Sequence, residues 1–109
     1  AFRGTAEAFA TDHIALAISR SAVEQGLDTG LNQNERLFLY LPYEHSESLE
    51  DQHESVRLIS GLGDQRFLQF ALDHQDVIER FGRFPHRNAA LGRATRPEEQ
   101  AAVEEGKNW

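Results

Sequence analysis

Cysteine and methionine are absent from this chain of 109 residues, and its only lysine is Lys107. Without cysteine the chain can form no disulfide, and it offers neither a thiolate nucleophile nor a sulfur ligand for a metal. Long apolar runs are also absent, since none approaches the roughly 20 residues that a membrane-spanning helix needs. We therefore expect no thiol chemistry, no disulfide framework and no membrane partner.

The charge balance of the chain is acidic. It has 11 basic and 18 acidic residues, which give a formal net charge of -7. General nucleic-acid binding needs a basic surface that neutralises phosphates, so we expect no nucleic-acid partner. The length suits one compact domain and not two independent cores, which predicts a single domain over residues 1–109.

The spacing of apolar residues predicts an all-α fold. Apolar positions recur at three and four residues, and glycine and proline fall between blocks of helical length. We expect about five helices in antiparallel hairpins, the first running from an N-cap at Thr5 to about Gly26. Ile14 and Ile18 widen the apolar face predicted for that helix.

The later helices are predicted from capping signals and stop residues. Asn32 with Glu35 has the spacing of a capping box, and so does Ser48 with Asp51. The second helix is apolar nearly all round over residues 37–41, which predicts a position in the middle of the bundle, and Pro42 should end or kink it.

The fourth and fifth helices follow the same signals. Asp64 is the expected N-cap of the fourth, which should end at Gly82. Phe70 and His74 lie on its apolar face, and His74 is predicted to be core. The last helix should open around residues 95–98, where Thr95 and Glu98 have capping-box spacing.

Charge is segregated into two parts of the sequence. Residues 44–54, here called the acidic segment, hold five acids and two histidines but no arginine or lysine. Residues 80–96, here called the basic segment, hold five arginines and no acid, so they carry +5 while the rest of the chain carries -12. Arginine offers a planar fork of donors that suits carboxylates and phosphates.

This segregation has two interpretations. In the first, the two segments meet and satisfy each other through ion pairs. In the second, the basic segment forms a site for an anion, with Tyr43 and Phe84 as apolar walls. The predicted anion-binding residues are, with those two walls, Arg80, Arg83, His86 and Arg87.

A second candidate chemistry is acid–base catalysis by Glu44, His45 and His86. A histidine beside carboxylates is suitable for a general base or a metal ligand. The spacing of Glu44 and His45 with Asp51 and His53 matches no recognised metal motif, so we predict no metal and no cofactor. His53 falls on the apolar face of its helix, which predicts a packed histidine.

Three stretches of the sequence resemble a known family. They are residues 2–12, residues 35–47 (ERLFLYLPYEHSE) and residues 80–88 (RFGRFPHRN). Together they resemble the bacterial domain-of-unknown-function family numbered 924, which belongs to the tetratricopeptide-like helical superfamily. The resemblance implies a TPR-like helical fold, no established activity, and further helices that precede this stretch in family members.

Three functions follow as hypotheses. The first is a binding module for an anionic small molecule or an acidic peptide. The others are a small hydrolase-like or metal-dependent enzyme that uses Glu44, His45 and His86, and a structural interaction domain. Because the chain lacks methionine at position 1 and resembles only part of the family, we expect it to be the C-terminal part of a longer protein. We also expect possible homo-oligomers through a face that the absent helices would cover, and a cytoplasmic location.

Overall fold

The described residues, 6–104, fold entirely into helices and the turns that join them. A computed structural model provides the coordinates, with side chains described from residue 12 onward. No strand occurs in this part of the chain, so the predicted all-α fold is confirmed. The five helices are α1 (Ala6–Glu24), α2 (Gln33–Glu44), α3 (Leu49–Ser60), α4 (Gln65–Phe81) and α5 (Gln100–Glu104). Single-turn 3-10 helices lie at Leu27–Gly30, Pro85–Arg87 and Pro97–Glu99.

Helices adjacent in sequence pack against each other, because the loops that join α1 to α4 are short. α1 packs on α2, α2 on α3, and α3 on α4, while α2 also touches α4. Helix α5 instead packs against the 3-10 turns at Pro85–Arg87 and Pro97–Glu99. Between residues 6 and 104 no helix is both long and apolar enough to cross a membrane.

Several predicted helix ends are confirmed. Asn32 and Glu35 form a complete capping box, with the Asn32 side chain accepting from Glu35 N at 2.9 Å and Glu35 accepting from Asn32 N at 3.0 Å. The Asp64 carboxylate accepts from the backbone N–H groups of Arg66 and Phe67. Gly82 ends α4 with φ 74°, a left-handed conformation that favours glycine. The predicted cap Thr5 lies outside the described residues.

Two other helix starts differ from the prediction. The Ser48 side chain makes no capping hydrogen bond. Instead the Ser46 hydroxyl accepts from Ser48 N at 3.1 Å and donates to Asp51 Oδ2 at 2.7 Å, so a serine two residues earlier joins the turn to α3. The 3-10 turn Pro97–Glu99, which leads into α5, begins after Arg96 rather than Thr95, since it is Arg96 N that donates to Glu99 Oε1.

Of the two effects expected of Pro42, an end or a kink, the end does not occur, because α2 continues to Glu44. Proline lacks the N–H that would bond to the Phe38 carbonyl, which removes one intrahelical hydrogen bond. The intrahelical hydrogen bonds resume after Pro42, where His45 N donates to Leu41 O at 3.0 Å. Tyr40 and Tyr43 are each 3% exposed on the same side of α2, and their packing holds the last turn in place.

The core consists of two apolar clusters. One joins α2, α3 and α4 around Tyr40, Ile59 and Ala71. The other lies at the end of α4, where Val77, Ile78, Phe81 and Phe84 pack together with Ala102 beside them.

Some residues placed on apolar helix faces from the sequence lie outside both clusters. Phe38 is 75% exposed and Phe70 is 61% exposed, so α2 is not buried all round. Ile14 and Ile18 on α1 are also exposed. The buried face of α4 therefore differs from the apolar face predicted for it. Val77 is buried in the core, whereas Phe70 is exposed to solvent.

Candidate functional site

The acidic and basic segments meet at Glu47. Its carboxylate accepts two hydrogen bonds from the Arg93 guanidinium, at 2.8 and 3.1 Å, and one from the backbone N–H of Phe84 at 2.6 Å. Burial by itself would raise the pKa of Glu47, but these hydrogen bonds and the charge of Arg93 together outweigh it and hold the pKa below its usual value. The ion pairing expected between the two segments is therefore present here.

A second anchor of the basic segment is Glu99, which the sequence did not single out. Its side chain is fully buried and accepts from Arg83 Nε and Nη2, each at 2.8 Å, and from Asn88 Nδ2 at 3.2 Å. Hydrogen bonds from Arg83, ahead of the opposing effect of burial, lower the pKa of Glu99 to about 2. The signal available in the sequence was its position three residues after Arg96, where a carboxylate can bond to the start of a helix.

The predicted anion-binding arginines are therefore distributed among different partners. Arg83 forms an ion pair with Glu99. Arg80 lies exposed on the last turn of α4, with its guanidinium 4.8 Å from the centre of the Phe81 ring and 3.7 Å from Asp76. Arg87 is buried, with 6% of its surface exposed, and donates to the His45 carbonyl at 2.9 Å.

Arg87 belongs to a cluster of aromatic and cationic groups around Phe84, called here the Phe84 cluster. The Arg87 guanidinium lies over the fully buried Phe84 ring at 4.5 Å. The His74 ring meets Phe84 edge-on at 5.8 Å, and His86 lies 6.2 Å from it. His45 is 6.1 Å from His74, so the cluster brings together His45, His86, Arg87 and Phe84 from the predicted sites.

Burial lowers the pKa of the Arg87 guanidinium, which also interacts electrostatically with charged groups on neighbouring elements. The charged groups that act on it are Glu47, Asp12 and Arg93. Asp12 is on α1, and burial raises its pKa. The charges of Arg87 and His13 offset only part of that rise. The Phe84 cluster is thus assembled from the end of α2, α4 and the Pro85–Arg87 turn with the residue before it.

Glu44 and His74 form a buried pair beside this cluster. His74 Nδ1 lies 2.7 Å from the Phe70 carbonyl and 3.2 Å from Glu44 Oε1. Because a carbonyl only accepts, Nδ1 is the protonated ring nitrogen. Burial raises the pKa of Glu44 to about 7 and lowers that of His74 to about 4. The prediction that His74 is core is confirmed.

Glu44, one of the three predicted catalytic residues, is only 3% exposed. His45 and His86 are half-buried, so both are more accessible to solvent than this carboxylate. His53 is exposed on α3 rather than packed as expected. Within the part of the chain that the structure describes, no group of three histidine or acidic side chains could hold a metal ion.

Tyr43, predicted as an apolar wall for the anion, lines a different surface. It lies in an open groove between α1 and α3 that contains no residue of the basic segment. The other lining residues are Arg20, Val23, Glu24, Ser48, Glu50, Asp51 and Glu54.

Comparison with known proteins identifies a family and no activity. No curated protein matches this chain. A solved structure of a protein of unknown function from Agrobacterium tumefaciens matches with a TM-score of 0.90 and 42% sequence identity. The match covers 97% of this chain and 60% of that one, so the chain spans less than two thirds of its relative's length. The family described as bacterial proteins of unknown function, DUF924, matches residues 1–107, and the chain belongs to it.

Proposed function

We propose that this domain is a binding module whose ligand is a small anion, a carboxylate or a phosphate, held at the Phe84 cluster. The observation that carries the proposal is the position of Arg87, a buried guanidinium stacked on Phe84 with two half-buried imidazoles nearby. A planar guanidinium can give two parallel hydrogen bonds to a carboxylate or phosphate, and burial strengthens them.

The roles of the other predicted residues follow from their contacts. His86 is half-buried beside Phe84 and would supply a ring N–H to the same anion. Arg83 holds Glu99 and Arg93 holds Glu47, so both serve to fix the backbone of the basic segment around the site. Arg80 is exposed and acts only as a long-range positive charge. The TPR-like arrangement of the helices and the cytoplasmic location expected from the sequence are part of this proposal.

The experiment is a thermal-shift titration with inorganic phosphate and with succinate at constant ionic strength. We expect both anions to raise the Tm of the wild-type domain, because a ligand that binds only the folded state stabilises it. His86→Gln should reduce the shift at least severalfold while the domain stays folded by circular dichroism. Arg87→Gln should abolish the shift.

Arg80→Gln is the matched control, since it removes an exposed arginine of the same segment and should retain the full shift. Equal shifts in His86→Gln, Arg80→Gln and the wild type would contradict the proposal. That result would favour the structural hypothesis, in which the two segments only hold the helices together. An acidic peptide would be favoured if glutamate-rich peptides stabilise the domain where phosphate and succinate do not.

A further inference from the structure

Two phenylalanines on neighbouring helices are exposed to solvent. Phe38 on α2 is 75% exposed and Phe70 on α4 is 61% exposed. A single exposed apolar side chain is ordinary, but a continuous apolar strip beside polar groups is typical of a binding surface. The positions of the two rings relative to the Phe84 cluster therefore decide what their exposure indicates.

Helices α2 and α4 run side by side in the same direction. Glu44 Oε1 on α2 lies 3.2 Å from His74 Nδ1 on α4. One turn earlier on each helix, Tyr40 and Ala71 belong to one core cluster. Because these contacts follow the same order along both helices, the helices are parallel, and positions one turn before the Glu44–His74 contact are neighbours again.

Each phenylalanine shares a helix face with a histidine of the Phe84 cluster. Phe38 precedes His45 by seven residues, or two turns, so the two lie within about 20° of each other around α2. Leu41 lies between them on this face and is half-buried. On α4, Phe70 precedes His74 by one turn, and its carbonyl lies 2.7 Å from His74 Nδ1. Since the His45 and His74 rings are 6.1 Å apart, the two faces converge at the cluster.

Leu41, Phe38 and Phe70 thus form a strip, called here the apolar strip, that begins at the Phe84 cluster. From His45 to Phe38 the strip is about 10 Å long, at a rise of 1.5 Å per residue. At the opposite end lies the Arg87 guanidinium, 4.5 Å from the centre of the Phe84 ring. The surface therefore has a cationic end and an apolar end.

We propose that the ligand of the Phe84 cluster is a medium-chain fatty acid, with its carboxylate at Arg87 and its alkyl chain along the apolar strip. This inference rests on the proposed function, because it names the class of the anion bound there. Charge complementarity favours this occupant, since a carboxylate matches the guanidinium fork and its chain would cover Phe38 and Phe70. Phosphate or succinate would pair with the guanidinium but leave both rings in water.

The experiment compares butyrate with octanoate by calorimetric titration, with octanoate kept below the concentration at which it forms micelles. Octanoate should bind at least about tenfold more tightly, because its four additional methylene groups would be partly buried on the apolar strip. Phe38→Ala and Phe70→Ala should each weaken octanoate binding about threefold and leave butyrate binding unchanged. Circular dichroism confirms that each variant is folded.

Two further variants test where the carboxylate is held. Arg87→Gln should abolish the binding of both fatty acids. His86→Gln, which alters a half-buried side chain, should weaken both by the same factor. Octanoate binding that neither variant changes would overturn the inference, because the carboxylate would then lie away from the cluster.

Ile18→Ala is the matched control for the apolar strip. Ile18 is 63% exposed, as much as Phe70, but it lies on α1, where no member of the Phe84 cluster lies. Octanoate should bind this variant as it binds the wild type. Equal weakening by Ile18→Ala and Phe70→Ala would show adsorption to any exposed apolar residue and would overturn the inference.

The remaining outcomes separate this inference from the proposed function. Equal affinities for butyrate and octanoate would overturn the fatty acid as ligand and leave anion binding intact. Self-association that Phe38→Ala abolishes and octanoate does not affect, measured by sedimentation, would assign the apolar strip to a second copy of the chain. If succinate, butyrate and octanoate all fail to bind, both proposals are wrong.

Discussion

At the scale of single residues, the most unusual feature is the pair of Glu44 and His74, two ionisable groups buried side by side. Burial penalises the charged form of each, so it raises the pKa of the acid to about 7 and lowers the pKa of the base to about 4. At neutral pH the imidazole is therefore uncharged, and the carboxyl is close to its point of half-protonation.

The pair predicts a specific dependence of stability on pH. The folded state holds the Glu44 proton more tightly than the unfolded state, so this contribution is present below pH 4.5 and is lost as pH rises through about 7. His74 acts in the opposite direction, since its contribution is present above pH 6.5 and is lost as pH falls through about 4. The two contributions oppose each other between pH 4.5 and 6.5.

Replacing Glu44 by Gln separates these contributions. Between pH 4.5 and 7, the free energy of unfolding of the wild type should fall by about 3 kcal/mol relative to that of Glu44→Gln. Urea unfolding at a series of pH values measures this difference. Glu79→Gln, at an exposed acid, should give a curve parallel to that of the wild type, and parallel curves for Glu44→Gln would contradict the assignment.

From the sequence, the burial of His74 could be predicted but that of Glu44 could not. His74 could be placed in the core because it lies seven residues from both Phe67 and Phe81 on an apolar helix face. The burial of Glu44 could not be anticipated, because a carboxylate at the end of a helix is ordinarily exposed. It depends on how α4 packs on α2, which is a long-range property that local spacing does not contain.

At the scale of secondary-structure elements, nearby residues determine where a helix ends. Which face of the helix is buried depends instead on the other elements that pack against it. The capping box at Asn32 and the glycine at residue 82 act through backbone atoms within a few residues, so their sequence signals were reliable. The exposure of Phe38 and Phe70 was not predictable in this way, because an apolar side chain is buried only where another element covers it.

The left-handed glycine at the end of α4 gives a prediction at this scale. Gly82→Ala should lower stability by about 1 kcal/mol, because an L side chain at φ 74° is strained even where space is open. A change of this size lowers Tm by about 4–8 °C in a small domain. Thermal unfolding by circular dichroism measures the loss.

Gly30→Ala is the matched control, because Gly30 also faces open space but does not have a positive φ. It should leave Tm within about 2–4 °C of the wild type, a smaller change than that of Gly82→Ala, since surface substitutions change stability by at most about 0.5 kcal/mol. A loss of equal size at both glycines would show that the cost comes from somewhere other than the backbone conformation at residue 82.

At the scale of the whole molecule, charge segregation in the sequence becomes a contact between distant parts of the chain. Glu47 and Arg93 are 46 residues apart and form a two-bond ion pair, with both side chains about a quarter exposed. The opposite charges of the two segments made their meeting predictable. The individual pairs of arginine and acid could not be predicted, because Arg83 pairs with Glu99, which lies outside the acidic segment.

A double-mutant cycle on Glu47 and Arg93 should measure this long-range contact. The coupling free energy from Glu47→Ala and Arg93→Ala is expected to be about 1–2 kcal/mol, because the geometry is bidentate and partly shielded from water. The pair Glu54 and Arg57, three residues apart on α3, is the control and should couple by about 0.5 kcal/mol or less.

Urea unfolding of the single and double variants supplies both coupling energies. Similar values in the two cycles would mean that the ion pair between the segments is no stronger than a local pair on one helix. In that case the attachment of the basic segment would depend on Glu99 and on apolar packing alone.

The buried carboxylate of Glu99 also has a consequence for motion. Between Gly82 and residue 104 the described chain has no helix longer than five residues, so its order depends on tertiary contacts. Glu99 bonds to Arg83, Asn88 and the backbone of Arg96, which ties both ends of that stretch to one side chain. We therefore expect residues 83–104 to unfold locally as one unit, so that their amide protons exchange together while those of α3 and α4 stay protected. Because Phe84, His86 and Arg87 lie within this stretch, each such opening would take the Phe84 cluster apart, and an anion bound there should slow the exchange.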